Sequence, residues 1–188
     1  MIVLKMKVVK KRQKALKSNC DILPTMSKQL KIYTIENKEE EKILREKSVP
    51  VKEEQFKDSK FHEFLDNLLY TALNSEEQDN VPAGGIAAPQ VGENIRVFYT
   101  LNYDTDKWQL FINPKITPIG FSKTSTIEGC LSVPNIEGEV LRYRKVKSNY
   151  QDKNGKRKTK KFKDINAIAV QHELDHLEGV LFIDKMKE

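Results

Sequence analysis

One stretch constrains this chain more than any other: Gln171-His172-Glu173-Leu174-Asp175-His176-Leu177-Glu178-Gly179. It contains H-E-x-x-H. On a helix, residues four apart are offset by only ~40° around the axis. His172 and His176 then share a face and can close on one metal ion. Glu173 follows the first histidine and can reach a water on that ion. Two histidines with an adjacent carboxylate form the helical signature of metal-assisted hydrolysis. The competing reading is a solvated helix that carries two histidines by chance. Ile165, Ile168 and Ala169 fall on the same broad face as the histidines, which continues an apolar stripe rather than a wet one. The spacing predicts a helix from Asp164 to Leu177, with Gly179 suited to its C-terminal cap.

A catalytic site of this kind needs three protein ligands and one open position. The longer pattern H-E-x-x-H-x-x-G-x-x-H is incomplete here: Gly179 is in register, but Phe182 stands where the third histidine would be. Only twelve residues follow His176, so the third ligand is expected upstream. His62 belongs to a separate helical pattern, and Cys20 lies in a lysine-rich leader. Cys130 is the better candidate. It lies in Glu128-Gly129-Cys130-Leu131-Ser132-Val133-Pro134, a run with strand character that a proline ends. A thiolate suits zinc or ferrous iron. The alternative for Cys130 is a small buried hydrophobe. A helix short of one ligand favours the first reading.

The rest of the chain reads as one α+β domain. Ile32 to Ile35 suggests a short strand, and Glu36 to Lys42 an exposed charged loop. Phe56 to Leu73 has helical period, with Phe61, Phe64, Leu65, Leu68, Leu69 and Ala72 on one face and Asp58 or Ser59 as cap. His62 sits beside that stripe and reads as structural or exposed. Asn74 to Asn80 is a polar loop. Ile95 to Leu101 and Trp108 to Ile112 are strand-like, joined by a turn at Asp104 to Asp106 and ended at Asn113-Pro114. Val140 to Tyr150 and Lys156 to Phe162 flank Asn154-Gly155, a strong hairpin signal. That hairpin is rich in lysine, which fits either a ribosome contact or a solvated edge strand protected by charge. Leu181 to Ile183 suggests a closing strand.

Three separated blocks resemble those of the peptide deformylases. Gly84-Gly85-Ile86-Ala87-Ala88-Pro89-Gln90 is similar to the family's glycine-rich G-x-G-[LI]-A-A-x-Q block, with Ala83 in place of its first glycine. Glu128-Gly129-Cys130-Leu131-Ser132 matches E-G-C-L-S, and Gln171 to Leu177 matches Q-H-E-x-D-H-L. The resemblance spans about residues 31 to 186. It implies small antiparallel sheets around a C-terminal helix that carries the metal. It implies hydrolysis of the formyl amide on the N-terminal methionine of nascent chains, releasing formate. Cys130, His172 and His176 would bind one divalent metal, commonly Fe2+, with Zn2+, Co2+ or Ni2+ able to substitute. Glu173 would act as general base and acid. Gln90 and the backbone N–H of Leu131 would stabilise the oxyanion. Gly85, Ile86, Gly129, Ile168 and Ala169 would contact the substrate, Ile86, Leu131, Ile168 and Ala169 walling its methionine pocket. Asn135 to Glu139 departs from bacterial members, which often carry an arginine near Glu137. Two rivals use the same helix: a metallopeptidase acting on internal amides, and a non-catalytic binding protein stabilised by metal.

The net charge of +6 is unevenly placed. Residues 1–35 carry nine Lys or Arg and one acid, whereas residues 36–188 carry 24 basic and 26 acidic residues. The expected division is a basic leader over residues 1–30 and a catalytic domain over 31–188. A basic, acid-poor N-terminus without an apolar core resembles a transit segment rather than a secretory signal, and composition alone fits a disordered basic tail with no address equally well. With the family resemblance it implies an organelle of bacterial descent, a plastid or a mitochondrion. No apolar run approaches the ~20 residues of a membrane span, specific nucleic-acid recognition is not expected, and two cysteines make no disulfide framework.

Overall fold

Side chains from five strands line up beneath one helix. Ala87, Phe98, Phe111, Val146 and Phe162 form a buried cluster with Ala167, Val170 and Leu177. The computed structural model describes residues 27–75 and 83–187. Its helices are α1 (Lys38–Leu44), α2 (Ser59–Leu73) and α3 (Asp164–Leu177). Its strands are β1 (Gly85–Ala87), β2 (Val97–Asn102), β3 (Lys107–Pro118), β4 (Lys123–Cys130), β5 (Val133–Tyr143), β6 (Lys145–Gln151) and β7 (Arg157–Lys163). Five strands form an antiparallel sheet in the order β1-β2-β3-β6-β7, and β4 pairs with β5 in a second sheet. Each strand of the large sheet gives one side chain to the row under α3. Burying such a side chain contributes about 1.5–3 kcal/mol, and the Phe98 and Phe111 rings stack at 4.7 Å. This is the expected α+β fold, with small antiparallel sheets around the C-terminal helix.

Among the described residues, the opposite face of the sheet is covered at the β1 end by α2. Phe61, Leu65, Leu68 and Ala72 of α2 pack on Ile86, Val97, Tyr99 and Ile112 of β1, β2 and β3. The α2 stripe is the one its period predicts. Asp58 caps the helix by accepting from the Lys60 N–H at 2.9 Å, while Phe56 and Lys57, expected in the helix, close a preceding 3-10 turn. The β4–β5 ribbon closes its own cluster, in which Cys130, Val133 and Val140 meet Leu181 and Phe182.

Several local expectations change. Glu36 to Lys42 is not a loop: Asn37 caps α1 through its side chain, and Glu40 is buried on Lys31 and the Thr34 N–H. Ile32 to Ile35 forms no strand. Its N–H groups go to two different segments, Tyr33 to the Gln90 carbonyl and Ile35 to the Ser132 carbonyl. Asn113-Pro114 does not end β3. A register shift between Ile112 and Lys115 absorbs the proline, and Asn113 takes φ +49°. Pro134 lies inside β5 rather than ending the Cys130 strand. The stretch from Val140 to Tyr150 divides at Arg144, so its halves serve different sheets. The Asn154-Gly155 hairpin forms, with Gly155 at φ +76°. Leu181 to Ile183 leads into a 3-10 turn, Phe182–Lys185, rather than a strand. Residues 1–26 of the leader and most of the Asn74 to Asn80 loop lie outside the described residues. Among the described residues, no helix is long and apolar enough to cross a membrane.

Candidate metal centre

The site is assembled where α3 crosses the end of β4. Helix α3 spans the predicted residues and ends as predicted. The Glu178 N–H returns to Leu174 and Asp175, and Gly179 follows at φ +71°. A side chain at Gly179 would also overlap the Arg45 carbonyl, so two independent demands select glycine there. On α3, His172 and His176 are buried, and Cys130 reaches them from the end of β4. One ligand atom from each of the three lies within 4.8 Å of the others. The Cys130 sulfur is 3.2 Å from His176 Nε2.

The protonation of these groups suits a cation. Burial lowers His172 to about 4 and His176 well below its ordinary value, so both imidazoles are neutral at pH 7 with lone pairs to offer. Burial raises the Cys130 thiol, so a thiolate here needs a compensating positive charge. His172 Nδ1 lies 2.8 Å from Glu128 Oε2, which turns Nε2 toward the cluster. Two buried polar atoms, His176 Nδ1 and Glu173 Oε2, have no hydrogen-bond partner. A soft, three-donor set with an orphaned carboxylate beside it fits a divalent metal.

A second layer of charge holds the first. Arg142 of β5 donates Nε and Nη2 to the two oxygens of Glu128, both at 2.8 Å, and Nη1 to Asp175. Lys185 Nζ reaches the other Asp175 oxygen at 2.6 Å. Burial alone would raise Glu128, but Arg142 and His172 hold it down to about 2. It therefore stays ionised to orient His172. Sequence reasoning did not single out Glu128, Arg142 or Asp175. Glu128 had a legible signal, since it sits two residues before Cys130 and so points to the same face of the strand. Asp175 lies inside the histidine motif. Arg142 had none, because its partners are 14 and 33 residues away.

The remaining candidates fall around this centre. Glu173 is buried, and burial, with Glu128 and Asp175 adding negative charge, pushes its carboxyl up to about 8. Gly85 of β1 lies against it: a methyl at Gly85 would overlap the Glu173 carboxylate. Gln90 accepts from the Ala87 N–H at 2.9 Å and turns its amide NH2 to Ser132 Oγ at 3.1 Å and the Cys130 sulfur at 3.5 Å. Leu131 and Ser132 form the turn between β4 and β5, just past Gly129 and Cys130. Ile86 and Leu131 share the α2 cluster, whereas Ile168 and Ala169 share another with Leu101 and Tyr103. The four expected pocket residues are thus all buried but divided between two clusters. His62 is remote from the metal ligands, its Nε2 2.9 Å from the Phe56 carbonyl.

The sequence profile of the polypeptide deformylases matches residues 29–188. The chain belongs to the polypeptide deformylase family. It is 47% identical over 105 residues to a peptide deformylase of Treponema pallidum, a match that covers 55% of this chain and 63% of that relative's length. It is 34% identical over 152 residues to that of Chlorobium phaeobacteroides, covering 78% of this chain and 77% of the relative. Among solved structures it is similar to a class I type b deformylase from Acinetobacter baumannii with Met-Ala-Ser bound. There the TM-score is 0.75 at 29% identity, over 86% of this chain and all of the other. The Acinetobacter deformylase thus shares the fold.

Proposed function

We propose that this chain removes the N-formyl group from the formyl-methionine that begins newly made polypeptides, releasing formate. The observation that carries this reading is the meeting of Cys130, His172 and His176 beside a buried, unpartnered carboxylate oxygen of Glu173. A divalent cation held by those three ligands would acidify water and polarise the formyl oxygen. Fe2+ is the proposed ion, with Zn2+, Co2+ or Ni2+ as substitutes, because the mixed thiolate and imidazole set accepts each of them. Glu173 takes the proton of the attacking water and delivers it to the leaving nitrogen. Its raised pKa places the proton near the operating pH, and a cation beside it lowers that value toward neutrality. The Gln90 amide and the Leu131 N–H face the oxygen on which charge develops.

The substrate lies extended along β1. That strand pairs only with β2 among the described strands, so its other edge is open to a peptide. Gly85, Ile86 and Gly129 contact the peptide, and Ile86, Leu131, Ile168 and Ala169 supply apolar wall for methionine. The Met-Ala-Ser held by the Acinetobacter enzyme is what such a reaction leaves behind. Formate release from formyl-Met-Ala-Ser by anaerobically iron-loaded protein tests the reading, with Met-Ala-Ser and the Glu173→Gln variant as controls. Metal-dependent release lost in Glu173→Gln supports it. No release from folded, fully metallated protein overturns it, and cleavage of the unformylated peptide transfers the site to peptidase chemistry.

Residues 1–30 form a basic address that delivers the enzyme to an organelle of bacterial descent. Nine basic residues against one acid across residues 1–35 support this. A fluorescent protein carrying residues 1–30 should collect in a plastid or mitochondrion. Diffuse fluorescence would leave the segment as a basic extension without an address.

A further inference from the structure

The face of the large sheet that α2 leaves bare is a basic surface. Cross-strand register places Lys145 opposite Lys163 and Lys147 opposite Lys161, with Arg157 further along the same face. Lys115 of β3 joins them through Asn149. The other registered positions there are Thr, Asn or Gln, apart from Ile112, which lies under α2, and no acid is registered on the face. None of the six basic side chains has an ion-pair partner among the described residues, although Asp164 and Asp152 nearby pair with Arg144 and Lys158. Residues 142–163 hold eleven basic residues and one acid, while residues 36–188 as a whole are slightly acidic.

Edge protection does not account for this pattern. A few lysines on β7 would blunt the edge. Here the charges also occupy β6 and β3, which are interior strands. Two lysine pairs stand directly opposite one another, an arrangement that destabilises a sheet where a Lys–Glu pair would stabilise it. Like charges kept together at a cost to the fold imply an external polyanion. The part of the face beyond α2 is polar and rich in hydrogen-bond donors. Phe121, 97% exposed, stands at the adjoining turn, which Ile119 and Ser122 tie to Lys145 and Arg144. A side chain of that kind can stack on an unpaired base.

We propose that this face, centred on Lys145, Lys147, Lys161 and Lys163, docks the phosphate backbone of structured RNA without reading its sequence. This goes beyond the catalytic reading and stands apart from it. The full chain should bind a fluorescent RNA hairpin, with an affinity that falls steeply as salt rises. K147E/K161E should weaken binding roughly tenfold or more at about 100 mM salt and flatten the salt slope by about two. K38E/K42E on α1 makes the same change in net charge and should bind nearly as the parent does. K161E alone supplies the opposite-charge pair missing from the hairpin. It should raise the thermal midpoint while weakening RNA binding, whereas a purely structural lysine would change only the midpoint. The proposal is overturned if the parent fails to bind the hairpin, if both double variants lose binding equally, or if phosphatidylserine vesicles are bound and RNA is not.

Discussion

The metal centre and the β6–β7 hairpin are both crowded with charge, yet they treat it in opposite ways. Around α3 the buried charges behind the ligands are paired, with Glu173 the exception: Arg142 spans Glu128 and Asp175, Glu128 also holds His172, and Lys185 completes Asp175. On the hairpin, lysines face lysines and none is neutralised across the face. The difference follows from solvent. An ion removed from water costs several kcal/mol unless a counter-charge and hydrogen bonds replace its hydration. An exposed lysine keeps its water and needs no internal partner. The buried charge of Arg142, Glu128 and Asp175 is therefore committed to holding the ligands, and the exposed charge of the hairpin is available to something else.

The largest effect expected from breaking the inner arrangement is on turnover. Glu173→Gln should lower kcat about 10²–10⁴-fold while bound metal per chain stays unchanged. Metal loss in that variant would show that Glu173 serves the centre rather than the proton. Arg142→Ala should cost about 3–5 kcal/mol in urea unfolding, because it strands the buried Glu128 carboxylate and leaves Asp175 with Lys185 alone. A cost below about 1 kcal/mol would remove the contrast with the hairpin.

Gly85→Ala sharpens the same contrast without touching a charge. Its methyl displaces the Glu173 carboxylate, so kcat should fall about 10²-fold with the fold and metal content kept. Acid titration separates Glu128 from the exposed acids. Its carboxyl is depressed from 4.5 to about 2 in the folded protein. Its contribution is therefore complete above about pH 4.5 and is lost as pH falls toward 2. The stability gap between the parent and Glu128→Gln should narrow across that window in metal-free protein, and a gap constant with pH would contradict the assignment. Smallest of all, Lys147→Ala should shift unfolding by no more than about 0.5 kcal/mol.

Much of this was legible along the chain because it depends on local spacing. The i, i+4 histidines, the α2 stripe with its Asp58 cap, the Gly179 stop and the Asn154-Gly155 turn each follow from backbone geometry within a few residues. The α1 helix was not legible. Its first five residues, Lys38 to Lys42, are all charged, and Glu40 is buried only because Lys31 and the Thr34 N–H meet it there. The continuation of β3 past Pro114 depended on a bulge, and the division of the Val140 to Tyr150 stretch depended on which sheet each half could reach.

The sequence by itself determined the ligand helix, the family blocks and the chemistry those residue types can support. Tertiary structure alone decided that Cys130 arrives within reach of the two histidines. It also decided that Arg142 locks the carboxylate orienting one of them, and that α2 covers the β1 end of the sheet and leaves the lysine face open. Local propensity acts over a few residues along the chain. Burial, pairing of charge and the covering of a sheet face depend on which distant segments meet, and only the packed fold specifies that.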